Sequence, residues 1–256
     1  MEIKKQTFYR AGRLQILFLI VIFSSFNACF PKTPFRLDNK TPVPINDSYI
    51  SLQKDMLLYF NLGSAVLIGK GIAVTNRHVV EDKVGIKGYM DGGVEFPIKN
   101  IILSDNLDLA VFEIPLNLGT PIKIGERVQL GNQIFSAGTT FSSTTLTGIV
   151  VLTDFDLHHA DIILPNADTK DHKGRSITRG FVYEGDFKKG FSGGPIVNSK
   201  GEIVGINIGP VLEFLPTNGA FLPKPEKTYG IGYHIEDVLN EIKRIAPDKL
   251  KDIYIQ

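Results

Sequence analysis

Pro195 sets the first limit on this fold. It follows Ser192 by three residues in "GFSGGPIVNSKGEIVGINIG". Proline lacks a backbone N–H and its ring clashes with the preceding turn, so no helix can run on from the serine. The next residues, "IVNSKGEIVGI", form two apolar runs around Ser199-Lys200-Gly201, the pattern of a β-hairpin. The same alternation of short Val-, Ile-, Thr- and Phe-rich clusters with Gly, Asn and Asp continues along the chain from Tyr49. "SAVLIGKGIAVTNRHVV" reads as two strands joined at Gly69–Gly71, and "VGIKGYMDGGVEFPIKNIIL" as a hairpin turning at Asp91-Gly92-Gly93. "LDLAVFEI", "VQLGNQIFSAG", "TTLTGIVVL" and "EIVGINIG" are further strand candidates. Helical spacing stands out in "IEDVLNEIKRIA", where Ile235, Val238, Leu239, Ile242 and Ile245 share one side. With 256 residues, 43% of them hydrophobic, the chain can bury a sizeable core, and many short strands imply an all-β sandwich or barrel. A net charge of +1 offers nothing to a nucleic-acid partner.

Residues 1–28 have the parts of a secretory signal peptide. Lys4, Lys5, Arg10 and Arg13 precede the apolar run "LQILFLIVIF", which is short of the about 20 residues a membrane span needs. Cys29 is the only cysteine, so no intramolecular disulfide is available. Its place after Ala28 resembles the lipid-attachment site of bacterial lipoproteins, with Phe26 and Asn27 where leucine and a small residue are usual. Residues 29–49 hold four prolines and little periodicity, and read as a lipidated tether. The expectation is a protein secreted across the inner membrane and held by its lipid at the periplasmic or outer-membrane surface.

"GFSGG" also fits G-x-S-x-G, the nucleophile elbow of α/β-hydrolases, but that elbow needs a helix after the serine and an acid and histidine downstream. Only His234 lies downstream, with no Asp before it. The other chain order for a serine triad is His, Asp, Ser. "AVTNRHVV" presents His78 at the end of an apolar strand, and "DNLDLAVFEI" presents Asp108 at the head of another. A serine hydroxyl needs a base to take its proton, and the base needs a carboxylate to fix its tautomer. Taken singly, His78 reads as a strand-end histidine and Asp108 as a turn cap; their joint occurrence with Ser192 points to nucleophilic catalysis.

These three segments resemble the trypsin-like (chymotrypsin-clan) serine peptidases, and within them the bacterial Deg-type branch. "TNRHVV", "DLAV" and "GFSGGPIVNSKGEIVGIN" carry the likeness, with "SAGTTFSSTTLTGIV" and "YGIGYHI" in support, over residues 60–245. The resemblance implies two six-stranded antiparallel β-barrels, residues 50–130 and 131–256, the second with a C-terminal helix. It implies a serine endopeptidase with His78 as base, Asp108 as its orienting acid, Ser192 as nucleophile, and the amides of Gly190 and Ser192 as oxyanion hole. Protein or peptide substrates are the implied partners. About sixty residues follow Ser192, too few for an added PDZ domain.

One departure concerns Phe191. Trypsin has an aspartate there, which pairs with the N-terminus freed by zymogen cleavage; Phe191 cannot, so burial of its ring is the expected means of holding the oxyanion loop. By the same resemblance Asp186 falls at the floor of a substrate pocket, the alternative being a solvated turn residue paired with Lys188 or Lys189. Gly209 is placed on the cleft wall, and Asn207 beside it, able to hydrogen-bond Asp108. His158, His159 and His172 read as residues of polar surface loops, and no metal or cofactor is expected. The rival to catalysis is a protease-fold lipoprotein kept for binding, such as an adhesin.

Overall fold

The computed structural model describes residues 45–54, 60–82, 84–142, 152–170, 176–211 and 227–253. Among them thirteen strands form two antiparallel sheets. The first contains β1 (Tyr49–Lys54), β2 (Phe60–Gly69), β3 (Ile72–Thr75), β4 (Ile86–Met90), β5 (Val94–Pro97), β6 (Lys99–Leu103) and β7 (Ala110–Glu113), in the order β5-β4-β1-β2-β3-β7-β6. Its two edge strands, β5 and β6, are successive in the chain and separated only by Ile98. They are two halves of one bent strand. Pro97 cannot donate to a ladder, Asn100 takes a left-handed φ of 48°, and the β6–β7 register slips between Lys99 and Ile102. The expected sixth strand of a closed barrel is thus two short ones, and the sheet's edges are joined by the chain itself rather than by hydrogen bonds.

The second sheet closes as expected. β8 (Gln133–Ser142), β9 (Leu152–Lys170), β10 (Ser176–Glu184), β11 (Pro195–Val197), β12 (Ile203–Pro210) and β13 (Tyr229–His234) form a six-stranded barrel in the order β10-β13-β12-β11-β8-β9. The helix α2 (Ile235–Ile245) follows β13 directly and buries Ile235, Val238, Leu239 and Ile242, the stripe its spacing predicts. A short helix, α1 (Arg77–Val80), precedes it in the chain, and another, α3 (Leu250–Ile253), comes after it.

Alternation explains the unbroken apolar runs. In β2, Ala65 and Leu67 face the interior of the first sheet with Ala73, Phe96 and Phe112. Val66 and Ile68 face the opposite way, into a core shared with Val197, Ile203 and Ile206 of the second barrel and with α2. A strand buried on both faces needs apolar residues at every position.

Three segments differ from the sequence reading. His158 and His159 lie in β9, opposite Ser136 and Phe135 of β8, not in a loop. Ala160 and Ile162 point inward while His159 and Asp161 are exposed, the period-two pattern of a half-buried strand. The polar segment around His172, "DTKDHKGRSITRG", reads as a loop by composition, yet parts of it belong to β9 and β10; His172 itself lies outside the described residues, as does most of "TTLTGIVVL". The end of the segment read as a tether is packed: Ile45, Ser48 and Tyr49 are buried, and the Ser48 hydroxyl donates to the Ile45 carbonyl (3.1 Å). Residues 1–28 and Cys29 lie outside the described residues.

Candidate active site

β3 ends at Thr75, and α1 begins two residues later, carrying His78 out of the first sheet. Asp108 sits at the turn before β7. Its Oδ1 accepts from the His78 backbone amide (2.9 Å) and its Oδ2 from the His78 Nδ1–H (2.5 Å). A carboxylate only accepts, so the proton of the neutral imidazole is on Nδ1 and the lone pair on Nε2.

The acid is fixed in turn. The Asp108 carbonyl accepts from Asn76 Nδ2 (3.0 Å), its amide donates to the Tyr233 hydroxyl of β13 (3.1 Å), and only 5% of the residue is exposed. Its turn is tied by Ser104, whose hydroxyl oxygen accepts from the amides of Asn106 (3.1 Å) and Leu107 (2.9 Å) while its hydroxyl donates to buried Glu241 of α2. Arg77, beside His78, donates to the Ser104 carbonyl (2.8 Å) and to Glu81.

The Ser192 loop comes from the second barrel and lies against the first sheet. A Cβ at Gly63 would meet both the Val79 side chain (2.8 Å) and the Ser192 carbonyl oxygen (2.9 Å). At Gly193 it would meet Thr75 Oγ1 (2.1 Å) and the Ser64 carbonyl (2.2 Å), and at Gly194 the Ala137 carbonyl (2.2 Å). Both glycines answer to packing, the loop backbone touching β2, β3 and β8 with no room for a methyl group, and Gly193 answers to conformation as well, with φ at 82°. Gly190 answers to conformation, with φ at 105°.

Within the loop the amides of Phe191, Gly193 and Gly194 donate to Lys188 (3.1 Å), Asn207 (2.9 Å) and Phe191 (2.8 Å) carbonyls. Among the described residues, the amides of Gly190 and Ser192 donate to no carbonyl. The Ser192 hydroxyl donates to the Ile208 carbonyl (3.0 Å).

Phe191 is fully buried. It stacks on His158 (centroids 5.7 Å, 30°) and meets the edge of Phe187 (5.7 Å, 62°). Gly138 of β8 makes room for it: a Cβ there would lie 2.3 Å from Phe191 Cδ1 and 2.5 Å from its Cα. The place that trypsin gives to an ion pair is filled here by aromatic rings.

The other candidates sit differently. Asn207 is fully buried and turned away from Asp108. Its Oδ1 accepts from Tyr183 (2.6 Å) and Ser136 (3.0 Å), and its Nδ2 donates to the Ala137 carbonyl (3.2 Å). Burial holds the Tyr183 phenol protonated. Asn207 therefore neither orients the acid nor offers its side chain to a substrate; its backbone bonds Gly193 and Gly194. Gly209 stands at an open position, with nothing within 4 Å of a Cβ. Asp186 is half exposed, paired with Lys188 (3.4 Å) and 3.9 Å from His158 Nε2.

Two antiparallel sheets, a carboxylate-held histidine and a glycine-bounded serine define a class, that of serine peptidases built from strands. Residues 63–206 match the family model of the trypsin-like peptidase domain, more than half of the chain. The chain belongs to that family and is a serine endopeptidase. No curated protein sequence matches it. Among solved structures it is similar to the active form of the Rv3671c protease from M. tuberculosis, at 19% identity over 84% of this chain and 94% of that one, with a TM-score of 0.60. It is similar to the MamO protease domain from Magnetospirillum magneticum, at 19% identity over 77% and 96%, TM-score 0.57. It is also similar to the serine endoprotease from Yersinia pestis, at 21% identity over 80% and 64%, TM-score 0.55. At these identities the likeness is one of fold.

Proposed function

We propose that this endopeptidase acts through His78, Asp108 and Ser192 by way of an acyl-enzyme intermediate, and that a lipid on Cys29 tethers it at a membrane surface outside the cytoplasm. The observation that carries the first part is the His78–Asp108 pair, joined by two hydrogen bonds through both carboxylate oxygens. The chemistry follows from the atoms. The Ser192 hydroxyl, now donated to Ile208, turns to give its hydrogen to His78 Nε2. The oxygen attacks the scissile carbonyl, and His78 becomes an imidazolium stabilised by Asp108. The developing oxyanion is met by the amides of Gly190 and Ser192; loss of one such donor typically costs about 10²–10³ in rate. His78 returns the proton to the leaving amine, and water then repeats the sequence on the acyl-enzyme. The open position at Gly209 suits an extended peptide laid along β12.

The exposed, Lys188-paired setting of Asp186 favours a solvated turn residue over a buried pocket floor, so selection for Lys or Arg substrates has little support. Incubation with a mixed peptide library tests the catalytic reading. Cleavage by the native chain and none by His78→Ala supports it, whereas no cleavage by either leaves the binding-protein alternative. The tether rests on the Cys29 segment alone. Cys29→Ser is expected to leave the membrane fraction, and a variant that still sediments with membranes in the absence of detergent overturns it.

A further inference from the structure

We infer that Ser64, on β2 of the first sheet, is the positioning residue that sets the oxyanion loop of the second barrel; this rests on the reading of Gly190 and Ser192 as oxyanion donors. Ser64 holds the loop at two points. Its amide donates to the Ser192 carbonyl (2.8 Å) and its hydroxyl to the Gly190 carbonyl (2.7 Å). These carbonyls belong to the two residues whose own amides are left for the substrate. Peptide groups are planar, so these anchors fix the Gly190–Phe191 and Ser192–Gly193 planes, the ones that follow each donor residue, and each donor amide is then aimed by the φ and ψ of Gly190 or Ser192 alone. A glycine at φ 105° can turn over at little cost, and the Ser64 hydroxyl opposes that turn.

The hydroxyl is itself driven from behind. Tyr49 of β1 is 2.6 Å from Ser64 Oγ, and Thr139 of β8 hydrogen-bonds the same phenol. The direction of this chain follows from its end. A carbonyl can only accept, so Ser64 gives its single hydrogen to Gly190; Tyr49 must then donate to Ser64, and Thr139 to Tyr49. Each donor polarises the next. All three residues are fully buried, so water cannot replace a missing member. The chain draws on β1, β2 and β8, and so ties the serine loop to the first sheet, which also carries His78. It adds a restraint from hydroxyl groups to the one the buried Phe191 ring gives in place of trypsin's aspartate–amine pair.

Ser64→Ala tests this directly, because it keeps the backbone bond to Ser192 and removes only the hydroxyl. Active sites are counted with a fluorophosphonate, and kcat per titrated site is measured on a peptide substrate. The expected result is a fall in kcat of about 10–100-fold, the equivalent of one buried carbonyl left unsatisfied, with KM little changed. Tyr49→Phe, which leaves Ser64 in place with the Thr139 amide (3.2 Å) as its remaining donor, is expected to lose less, about three- to tenfold. A merely structural role would lower the melting temperature and the number of titrated sites and leave kcat per site at the native value; that outcome overturns the inference. Should Ser64→Ala fail to fold, Tyr49→Phe decides by the same criterion. A native chain that takes no label at all overturns the catalytic reading and this inference with it, a result distinct from labelled variants of unchanged rate.

Discussion

Gly138→Ala is a small change with a large expected effect. Gly138 lies in β8 opposite Asp156, and its φ is not positive, so strand geometry alone would admit alanine. Phe191 excludes it. The new methyl would lie 2.3, 2.5 and 2.6 Å from Phe191 Cδ1, Cα and Cγ, where carbon atoms normally stay roughly 3.5–4.0 Å apart. The ring has no free direction, being fully buried between His158 and Phe187. Nor would trimming the ring suffice, because one of the clashing atoms is the Phe191 Cα. The loop backbone must move. Overpacking of this kind costs about 1–3 kcal/mol, which lowers the melting temperature by roughly 2–4 °C per kcal/mol in a domain of this size. The displaced amides of Gly190 and Ser192 add a rate loss of up to about 10²–10³. Calorimetry and peptide hydrolysis measure the two effects, and the activity loss at a temperature where the variant remains folded separates them. A Gly138→Ala chain with native melting temperature and native kcat refutes the claim that the buried ring positions the loop.

Asp108→Asn should keep the fold and lower kcat by about 10⁴-fold, because an amide in place of Oδ2 no longer holds the imidazole proton on Nδ1; kcat with an unchanged circular dichroism spectrum is the check. Asp186→Ser should change hydrolysis after Lys or Arg and after apolar residues to the same extent, since the carboxylate is exposed and already paired with Lys188; a selective loss of at least about tenfold for Lys and Arg peptides would restore it to a pocket. His234 is held below the ordinary histidine range, chiefly by burial, and its Nε2–H donates to the Pro165 carbonyl (2.7 Å). The unfolded chain therefore binds the proton more readily. Stability from this group is present above the unfolded value of ~6.5 and lost as pH falls through the lower folded value. His234→Gln should flatten the acid side of the stability curve, as read from melts between neutral and mildly acid pH, and an unchanged slope would contradict this.

The catalytic candidates were legible because each stands where apolar strand residues stop: His78 after "IAVT", Asp108 before "LAVF", Ser192 among glycines that no helix or ordinary strand needs. α2 was legible from periodicity; the strand pattern alone left a sandwich or a barrel, and the closed six-stranded barrel came from the family resemblance. β9 was hidden because its outward positions are His, Asp and Asn, which resemble loop residues until β8 and β10 pair with them. Asn207 was assigned to the wrong face for a related reason. Side chains alternate along β12, but the register shifts between Asn207 and Gly209, and no residue type announces such a shift. Tyr49, Ser64 and Thr139 carried no signal at all. Serine, threonine and tyrosine are ordinary strand residues, and only the meeting of β1, β2 and β8 makes them a chain. The bent β5–β6 strand lay inside the segment read as one hairpin turning at Asp91-Gly92-Gly93, because a left-handed φ at Asn100 and a register slip leave no residue pattern of their own.

Catalysis by Ser192 is tested at its root by fluorophosphonate labelling of the native chain beside Ser192→Ala. One covalent adduct per native chain is predicted, on Ser192, and none on the variant at equal melting temperature. Equal labelling of both, or a native chain that stays unlabelled while folded, contradicts a serine nucleophile at this position.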